Sequence, residues 1–232
     1  MTDRTIDLAC LDMAGTTIDE GGLVYDVLES TVAEATGRDV PAELLGRWKG
    51  TSKREAIAGL LRGLDAPHDD AAVEKTFAAF GSRLIDTYRS SPPAPIPGVV
   101  DLIGALRADG ARVALQTGYS NDIATAILEG LGWTVGSGVD NTVDAIVTSD
   151  EVVASRPAPY LIYHCMEATG VVDVQSVLVA GDTPNDVLAG HHAGAGLVVG
   201  VLTGSFDAEA LSDHPDTHIL SSLAEVGSLV AR

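Results

Sequence analysis

The chain has few cysteines and no long apolar run. Only two of its 232 residues are cysteine, Cys10 and Cys165. The first falls in a predicted core strand and the second in a predicted helix, so we expect reduced, buried thiols and a cytoplasmic setting. No apolar run is long enough to span a membrane, and the start lacks a cationic segment followed by an apolar one. We therefore expect no association with a membrane.

Basic residues are also scarce. The sequence has 14 lysines and arginines against 33 acidic residues, which gives a net charge of −19. So acidic a surface disfavours nucleic acid and anionic membranes as partners. From Val113 to Ala231 the only lysine or arginine is Arg156. A single cation in so acidic a half indicates a specific anionic partner, the alternative being an exposed surface arginine.

The hydrophobic content, 46%, is sufficient for a sizeable core. After residue 98, predicted helices alternate with predicted strands at 112–116, 144–148, 176–180 and 196–201. This alternation predicts a parallel sheet covered by helices on both faces. The apolar run at 6–11 should join that sheet as its first strand. The expected fold class is α/β, with a Rossmann-like core.

A long helical stretch separates the first strand from the others. Helices are predicted at 23–36, 41–48 and 71–88, and Ser52-Lys53-Arg54-Glu55 matches the capping box that begins another. The proline-rich segment at 90–98 indicates a break and a hinge. We therefore predict a core domain of residues 1–18 plus 93–232, and an inserted all-helical cap of residues 19–92.

Polar loops of small residues follow the predicted core strands. Because the carboxyl ends of parallel strands meet at one edge of a sheet, these loops should converge. Thr117 and Gly118 precede a predicted helix start at Ser120, where a hydroxyl and free amides suit a phosphoryl group. The loops are Asp12-Met-Ala-Gly-Thr, Thr117-Gly-Tyr-Ser-Asn, Thr148-Ser-Asp and Gly181-Asp-Thr-Pro-Asn-Asp186.

Three carboxylates, those of Asp12, Asp182 and Asp186, are expected at this sheet edge. They repel one another unless they share a cation or a proton, and oxygen-only ligands suit Mg²⁺. The alternative is that these aspartates only cap turns and helices in an acidic protein.

In this order, the four loops resemble those of the haloacid dehalogenase superfamily over nearly the whole chain. Two departures are specific: Ala14 stands where that superfamily usually has a second aspartate, and Arg156 where it usually has a lysine. Together with Lys53 in the cap, they resemble phosphonatases (phosphonoacetaldehyde hydrolases) and phosphonatase-like hydrolases. The resemblance implies that Asp12 takes the phosphoryl group and that Lys53 forms a Schiff base with the substrate aldehyde.

The resemblance implies the rest of the site as well. Asp12, Lys53 and Arg156 are the expected catalytic residues. Mg²⁺ is expected at Asp12, Ala14 and Asp182, with Asp186 behind them. A homodimer through the cap is also implied. The expected substrate-binding residues are Ala14, Gly15, Thr16, Thr117, Gly118, Tyr119, Lys49 and Gly50.

The chemistry of the leaving group agrees with the alanine at position 14 and the lysine at position 53. A phosphate ester leaves as an alkoxide that benefits from an acid, which a carboxyl group at position 14 would supply. A carbon leaving group needs an electron sink instead, and a protonated imine on Lys53 is one. Ala14 with Lys53 therefore predicts cleavage of a carbon–phosphorus bond in a small phosphonate. The alternatives are a phosphomonoesterase on the same fold and a non-catalytic phosphometabolite-binding protein.

Lys53 must lose its proton to attack a carbonyl, whereas a free lysine has a pKa of about 10.4. We expect a helix start, the like charges of Lys49 and Arg54, and desolvation by the cap to lower it. Lys49, Ala56 and Gly22 replace the methionine, histidine and cysteine that surround the aldehyde in phosphonatases. A hydroxylated relative such as 1-hydroxy-2-oxoethylphosphonate is therefore also a candidate substrate.

Overall fold

The computed structural model describes residues 5–49, 51–212 and 216–230. Six parallel strands form its main sheet, and a two-stranded antiparallel sheet lies beside it. In chain order the strands are β1 (Leu8–Asp12), β2 (Ile18–Asp19), β3 (Ala94–Pro95), β4 (Arg112–Gln116), β5 (Ala145–Val147), β6 (Val177–Gly181), β7 (Leu197–Val201) and β8 (Thr217–Leu220).

Helices cover the main sheet and form the inserted region. Three further short 3₁₀ turns lie at Ser149–Glu151, Val174–Ser176 and Leu223–Val226. The α-helices are α1 (Leu23–Thr36), α2 (Ala42–Gly46), α3 (Lys53–Gly63), α4 (Asp70–Ser90), α5 (Val99–Ala108), α6 (Asn121–Leu131), α7 (Tyr160–Thr169), α8 (Pro184–Ala193), α9 (Ala208–Leu211) and α10 (Gly227–Val230).

Strand β1 is buried on both faces, which explains why its sequence is a continuous apolar run. Successive side chains point to opposite faces of a strand. Leu8 and Cys10 pack in the cluster that contains α7 and α8, whereas Ala9 and Leu11 pack in the cluster that contains α5 and α6. The expected α/β sandwich is confirmed, and Cys165 of α7 is a buried free thiol like Cys10.

The strand order is β5-β4-β1-β6-β7-β8. From β1 the chain first builds outward through β4 and β5, then returns to the other side of β1 for β6. The loops after β1 and β4 therefore lead to one side, and the loop after β6 leads to the other. A crevice forms between them at the carboxyl edge of the sheet. Asp12, the last residue of β1, lies at this switch point.

The inserted helices α1–α4 lie between β2 and β3. These two short strands pair antiparallel, with Ile18 opposite Pro95. The proline-rich segment predicted as a break thus contains an edge strand, a position that tolerates proline because no ladder donor is needed. Phe80 and Leu84 of α4 pack among the apolar faces of α1 and α3 in the inserted region.

Two parts of the sequence behave differently from expectation. Helix α7, predicted from residue 157, begins at Tyr160, since Pro157 and Pro159 lie before its first turn. The sixth strand of the main sheet, β8, was not predicted, because its alternation at Thr217–Leu220 is short and only half buried. No helix within the described ranges combines the length and apolar character that crossing a membrane requires.

Candidate active site

A cavity of about 240 Å³ lies between the carboxyl edge of the sheet and the inserted helices. It brings together residues that are far apart in the sequence, as predicted for the loops after β1, β4 and β6, whereas the predicted Thr148-Ser-Asp loop does not line it. Lys53 contributes from the start of α3, and Arg156 from the segment before α7. The predicted site residues that line it are Asp12, Ala14, Gly15, Lys53, Thr117, Gly118, Tyr119, Arg156 and Asp182.

Arg156 is buried against two carboxylates. Its Nη1 atom donates a hydrogen bond of 2.8 Å to Asp12 Oδ1 and another to Asp186 Oδ1. The side chains of Arg156 and Asp12 are only 11% and 6% exposed. The alternative of a surface arginine is therefore wrong, since this cation compensates two buried anions.

Asp186 is held by protein donors on both of its oxygens. Its Oδ2 atom accepts hydrogen bonds from the Thr183 hydroxyl and from the Thr183 amide at 3.1 Å. Its Oδ1 atom accepts from Arg156 and from Gln116 Nε2 at 3.3 Å. Thr183 is the N-cap of α8, with Pro184 at the first helical position. This arrangement suits a carboxylate that supports the site from behind.

Asp12, Asp182 and Asp186 form a buried cluster whose ligand oxygens all lie within 4.8 Å of one another. Burial and the charge of Asp12 raise the pKa of Asp182 to about 7. Burial and the neighbouring anion both disfavour a bare carboxylate, and a cation would offset both, so the cluster fits a hard divalent ion such as Mg²⁺. Asp12 and Asp182 would hold the ion, and Ala14 could add only its main-chain carbonyl.

The loop after β7 packs closely against the side chain of Asp182. A Cβ atom on Gly204 would lie 1.8 Å from Asp182 Oδ2, and one on Gly15 would lie 2.6 Å from it. Gly15 also has φ +81°, a conformation that favours glycine. The Thr203 hydroxyl donates to the Gly15 carbonyl and joins the two loops. We did not predict this contribution, although Thr203-Gly-Ser shows the same small polar pattern after a strand.

Lys53 is the first residue of α3, whose N-cap is Ser52 as predicted. It is half-buried, and its amine lies 5.1 Å from the centre of the Tyr25 ring. Burial, and then the positive charge of Arg156, lower the pKa of Lys53 to about 8. The like charge thus comes from the core, not from Lys49 and Arg54 as expected. Arg54 instead pairs with Glu74 at the surface.

Two of the predicted substrate-binding residues, Thr16 and Lys49, do not line this cavity. Thr16 is buried below it, with its hydroxyl 3.5 Å from Asp182 Oδ1. Lys49 lies over the Tyr25 ring, its amine 5.0 Å from the ring centre. Gly50 lies outside the described residues. Lys49 and Lys53 therefore approach the same aromatic ring.

Glu20 is a cavity residue that the sequence interpretation assigned only to a loop. It is 8% exposed, and its Oε2 atom accepts hydrogen bonds from the Val24 amide at 2.7 Å and the Tyr88 hydroxyl at 3.0 Å. The hydroxyls of Tyr88 and Tyr119 also share a hydrogen bond of 3.0 Å. Burial is the main reason that the pKa of Glu20 is raised. The local sequence does not predict the burial of Glu20, because the acidic residue beside it, Asp19, is exposed.

Known proteins resemble the chain over most of its length. A phosphonoacetaldehyde hydrolase from Parabacteroides distasonis is 29% identical over 213 residues, 87% of this chain and 78% of the relative. A phosphoglycolate phosphatase from Agrobacterium fabrum is 30% identical over 225 residues, 94% of this chain and 91% of the relative. The structure of a phosphonoacetaldehyde hydrolase-like protein from Oleispira antarctica superposes with a TM-score of 0.78, at 19% identity, over 98% of this chain and 91% of that one.

The family comparison gives the broader class. Residues 6–194 match the haloacid dehalogenase-like hydrolases. This range runs from the start of β1 to the end of α8, so it contains Asp12, Lys53, Arg156 and Asp182. The expected resemblance is confirmed at this level, and the chain belongs to the haloacid dehalogenase-like hydrolase family.

Proposed function

We propose that this hydrolase cleaves the carbon–phosphorus bond of phosphonoacetaldehyde or a close 2-oxoalkylphosphonate. One observation carries the proposal: a single cavity holds the Asp12 carboxylate and a lysine amine of lowered pKa, while position 14 is alanine. The nucleophile for phosphorus and the amine for an aldehyde are thus both present. The relatives named phosphonoacetaldehyde hydrolase support this substrate class.

The protonation state of Lys53 supports imine formation. With a pKa of about 8, roughly one amine in ten is neutral at pH 7, against about one in 2,500 for a free lysine. The neutral Nζ attacks the aldehyde carbon, and the resulting carbinolamine takes up a proton from solvent and loses water, which leaves a protonated imine. Arg156, whose positive charge lowers the pKa of Lys53, also forms an ion pair with Asp12. Arg156 therefore couples the two ends of the cavity.

The bond-breaking step follows from these positions. The Asp12 carboxylate attacks phosphorus, the carbon–phosphorus electron pair forms the enamine double bond, and the imine nitrogen recovers its lone pair. Arg156 beside Asp12 stabilises the negative oxygens of the transferred phosphoryl group. Asp12 and Asp182 would hold a Mg²⁺ ion, which would neutralise negative charge at this end of the cavity. Water then hydrolyses the aspartyl phosphate and restores the carboxylate.

A phosphomonoesterase is the second candidate. The Agrobacterium relative is named phosphoglycolate phosphatase, and the chain covers 91% of it. Such an enzyme would use Asp12 in the same way, but its alkoxide leaving group needs a proton. Ala14 cannot provide one, which favours the phosphonate. The 1-hydroxy-2-oxoethylphosphonate alternative keeps the aldehyde and therefore the same chemistry.

Borohydride trapping separates the two candidates. We expect purified enzyme with Mg²⁺ and phosphonoacetaldehyde to release phosphate and acetaldehyde in equal amounts, and borohydride to leave a reduced adduct on Lys53. Peptide mass spectrometry locates the adduct, with the Lys75→Arg variant as a matched control in the same helical region. Faster phosphate release from phosphoglycolate than from any 2-oxoalkylphosphonate, without an adduct, would instead establish the phosphatase. The homodimer through the cap and the cytoplasmic setting remain predictions.

A further inference from the structure

Glu20 is a buried carboxyl group in the cavity that the chemistry above does not use. It stands between β2 and α1, where the chain leaves the core, and it is 8% exposed. Both of its described hydrogen bonds end on Oε2, from the Val24 amide and the Tyr88 hydroxyl. These contacts fix the carboxyl group and leave Oε1 as the oxygen available to a ligand.

The charges place Glu20 at the amine end of the cavity. Glu20, Asp12 and Asp182 all favour the charged form of Lys53, and Glu20 has the strongest effect of the three. At the phosphoryl end, by contrast, the charge of Asp12 raises the pKa of Asp182. Besides burial, the groups that shift the pKa of Glu20 are the Val24 amide, the Tyr88 hydroxyl, Lys53 and Asp19, so Lys53 is the cation among them.

We propose that Glu20 is the acid–base group that releases the aldehyde product from Lys53. This inference rests on the proposed function, because it assigns a role in the second half of that reaction. The geometry that carries it is a fixed, buried carboxyl group in the same cavity as the lysine amine. No carboxyl group stands at position 14 to do this work.

The proton transfers balance as follows. Glu20 in its acid form gives its proton to the terminal carbon of the Lys53 enamine, which becomes a protonated imine with a methyl group. Water then adds to the imine carbon and gives a proton to the Glu20 carboxylate, which restores the acid. The resulting carbinolamine breaks its carbon–nitrogen bond as its hydroxyl proton moves to nitrogen. The products are acetaldehyde and the neutral Lys53 amine.

The burial of Glu20 suits this role, because it raises the pKa of the carboxyl group and so makes the carboxylate easier to protonate. Tyr119 from the core extends the contact, since its hydroxyl bonds to that of Tyr88. A solely structural role is the competing explanation, because Glu20 accepts the Val24 amide in the first turn of α1. The two explanations predict different kinetics.

Glu20→Gln tests the proposal, because the amide oxygen keeps both hydrogen bonds while the acid is removed. Phosphate and acetaldehyde are followed by rapid quench over the first turnover of phosphonoacetaldehyde, with borohydride trapping in parallel. We expect the Lys53 adduct and a phosphate burst within about threefold of wild type, and acetaldehyde release slower by about 100-fold. Glu29→Gln, the same change at an exposed position of α1, should leave all three rates unchanged.

Two results would overturn the role of Glu20. One is acetaldehyde release by Glu20→Gln within threefold of wild type, and the other is an equal loss in phosphate, adduct and acetaldehyde. If Glu20→Gln does not fold, Glu20→Asp is measured in the same way and judged by the same selective loss. A wild-type enzyme that forms no adduct and releases no acetaldehyde would refute the proposed function itself, and this inference with it.

Discussion

Arg156 Nη1 bonds to Asp12 Oδ1 at 2.8 Å, although 144 positions separate the two residues in the sequence. The same nitrogen bonds to Asp186, so one buried cation lies between two buried carboxylates. Arg156 also lowers the pKa of Lys53. This residue therefore links the carboxylate cluster of the core to the amine of the inserted helices, and several predictions depend on it.

Asp12→Asn should remove phosphate release while the protein still folds. The amide is a poor nucleophile, so we expect a loss of more than about 1,000-fold. Arg156 keeps Asp186 as a partner, and one negative charge leaves the cluster, so the melting temperature without Mg²⁺ should not fall. A phosphate assay and a thermal melt check this prediction. Activity within tenfold of wild type would show that Asp12 is not the nucleophile.

Arg156→Ala should reduce activity by at least about 100-fold, because the phosphoryl oxygens lose their cation. It should also destabilise the protein by about 3–5 kcal/mol, since two buried carboxylates lose their partner. Arg89→Ala is the matched control, because that side chain is 71% exposed. Arg107 is unsuitable as a control, since it pairs with the buried Asp144. Similar phosphate-release rates for the two variants would contradict a role for Arg156.

Lys53→Arg should lose turnover almost as fully as Lys53→Ala. Arginine keeps the positive charge near Tyr25, but its delocalised guanidinium stays protonated and does not attack an aldehyde. Borohydride should then trap no adduct, whereas Lys75→Arg should behave as wild type. Retention of most activity by Lys53→Arg would mean that the lysine only binds the phosphonate. An adduct on Lys49 in the wild type would show that Lys49, and not Lys53, forms the imine.

The rate of adduct formation should rise with pH and level off near pH 8. Only the neutral amine attacks, and Lys53 loses its proton as the pH passes through its pKa of about 8. Below that value the rate should rise about tenfold per pH unit. Borohydride trapping between pH 6 and 10 gives the curve. In Arg156→Ala the like charge is absent, so the plateau should move to higher pH, and an unchanged midpoint would contradict the coupling.

Gly204→Ala should impair activity without a change in any polar group. Its Cβ would lie 1.8 Å from Asp182 Oδ2, so the carboxylate or the loop must move. We expect at least a tenfold loss of phosphate release and weaker Mg²⁺ binding in a calorimetric titration. Gly81→Ala is the control, because a Cβ there meets no atom within 4 Å, and alanine favours the helix. Normal Mg²⁺ affinity in Gly204→Ala would show that the contact is unimportant.

Local pattern was sufficient for much of the fold. The alternation of strands and helices, the inserted helical stretch and the Ser52 cap are local features, and each is present in the structure, although α7 begins later than predicted. The polar loops after β1, β4 and β6 also meet, because parallel strands must end at a common edge. Strand β8 and the loop at Thr203 were not predicted, since the sequence patterns that indicate them are short.

Only the tertiary structure decided which of these residues interact. The burial of Glu20 depends on Tyr88 and Val24 packing around it, and nothing in its own sequence distinguishes it from the exposed Asp19. The cation beside Lys53 is Arg156, which is remote in sequence, because charges act through space and through the dielectric that packing creates. The sequence by itself determined the chemical groups and the loops that carry them, whereas packing determined their distances and their protonation.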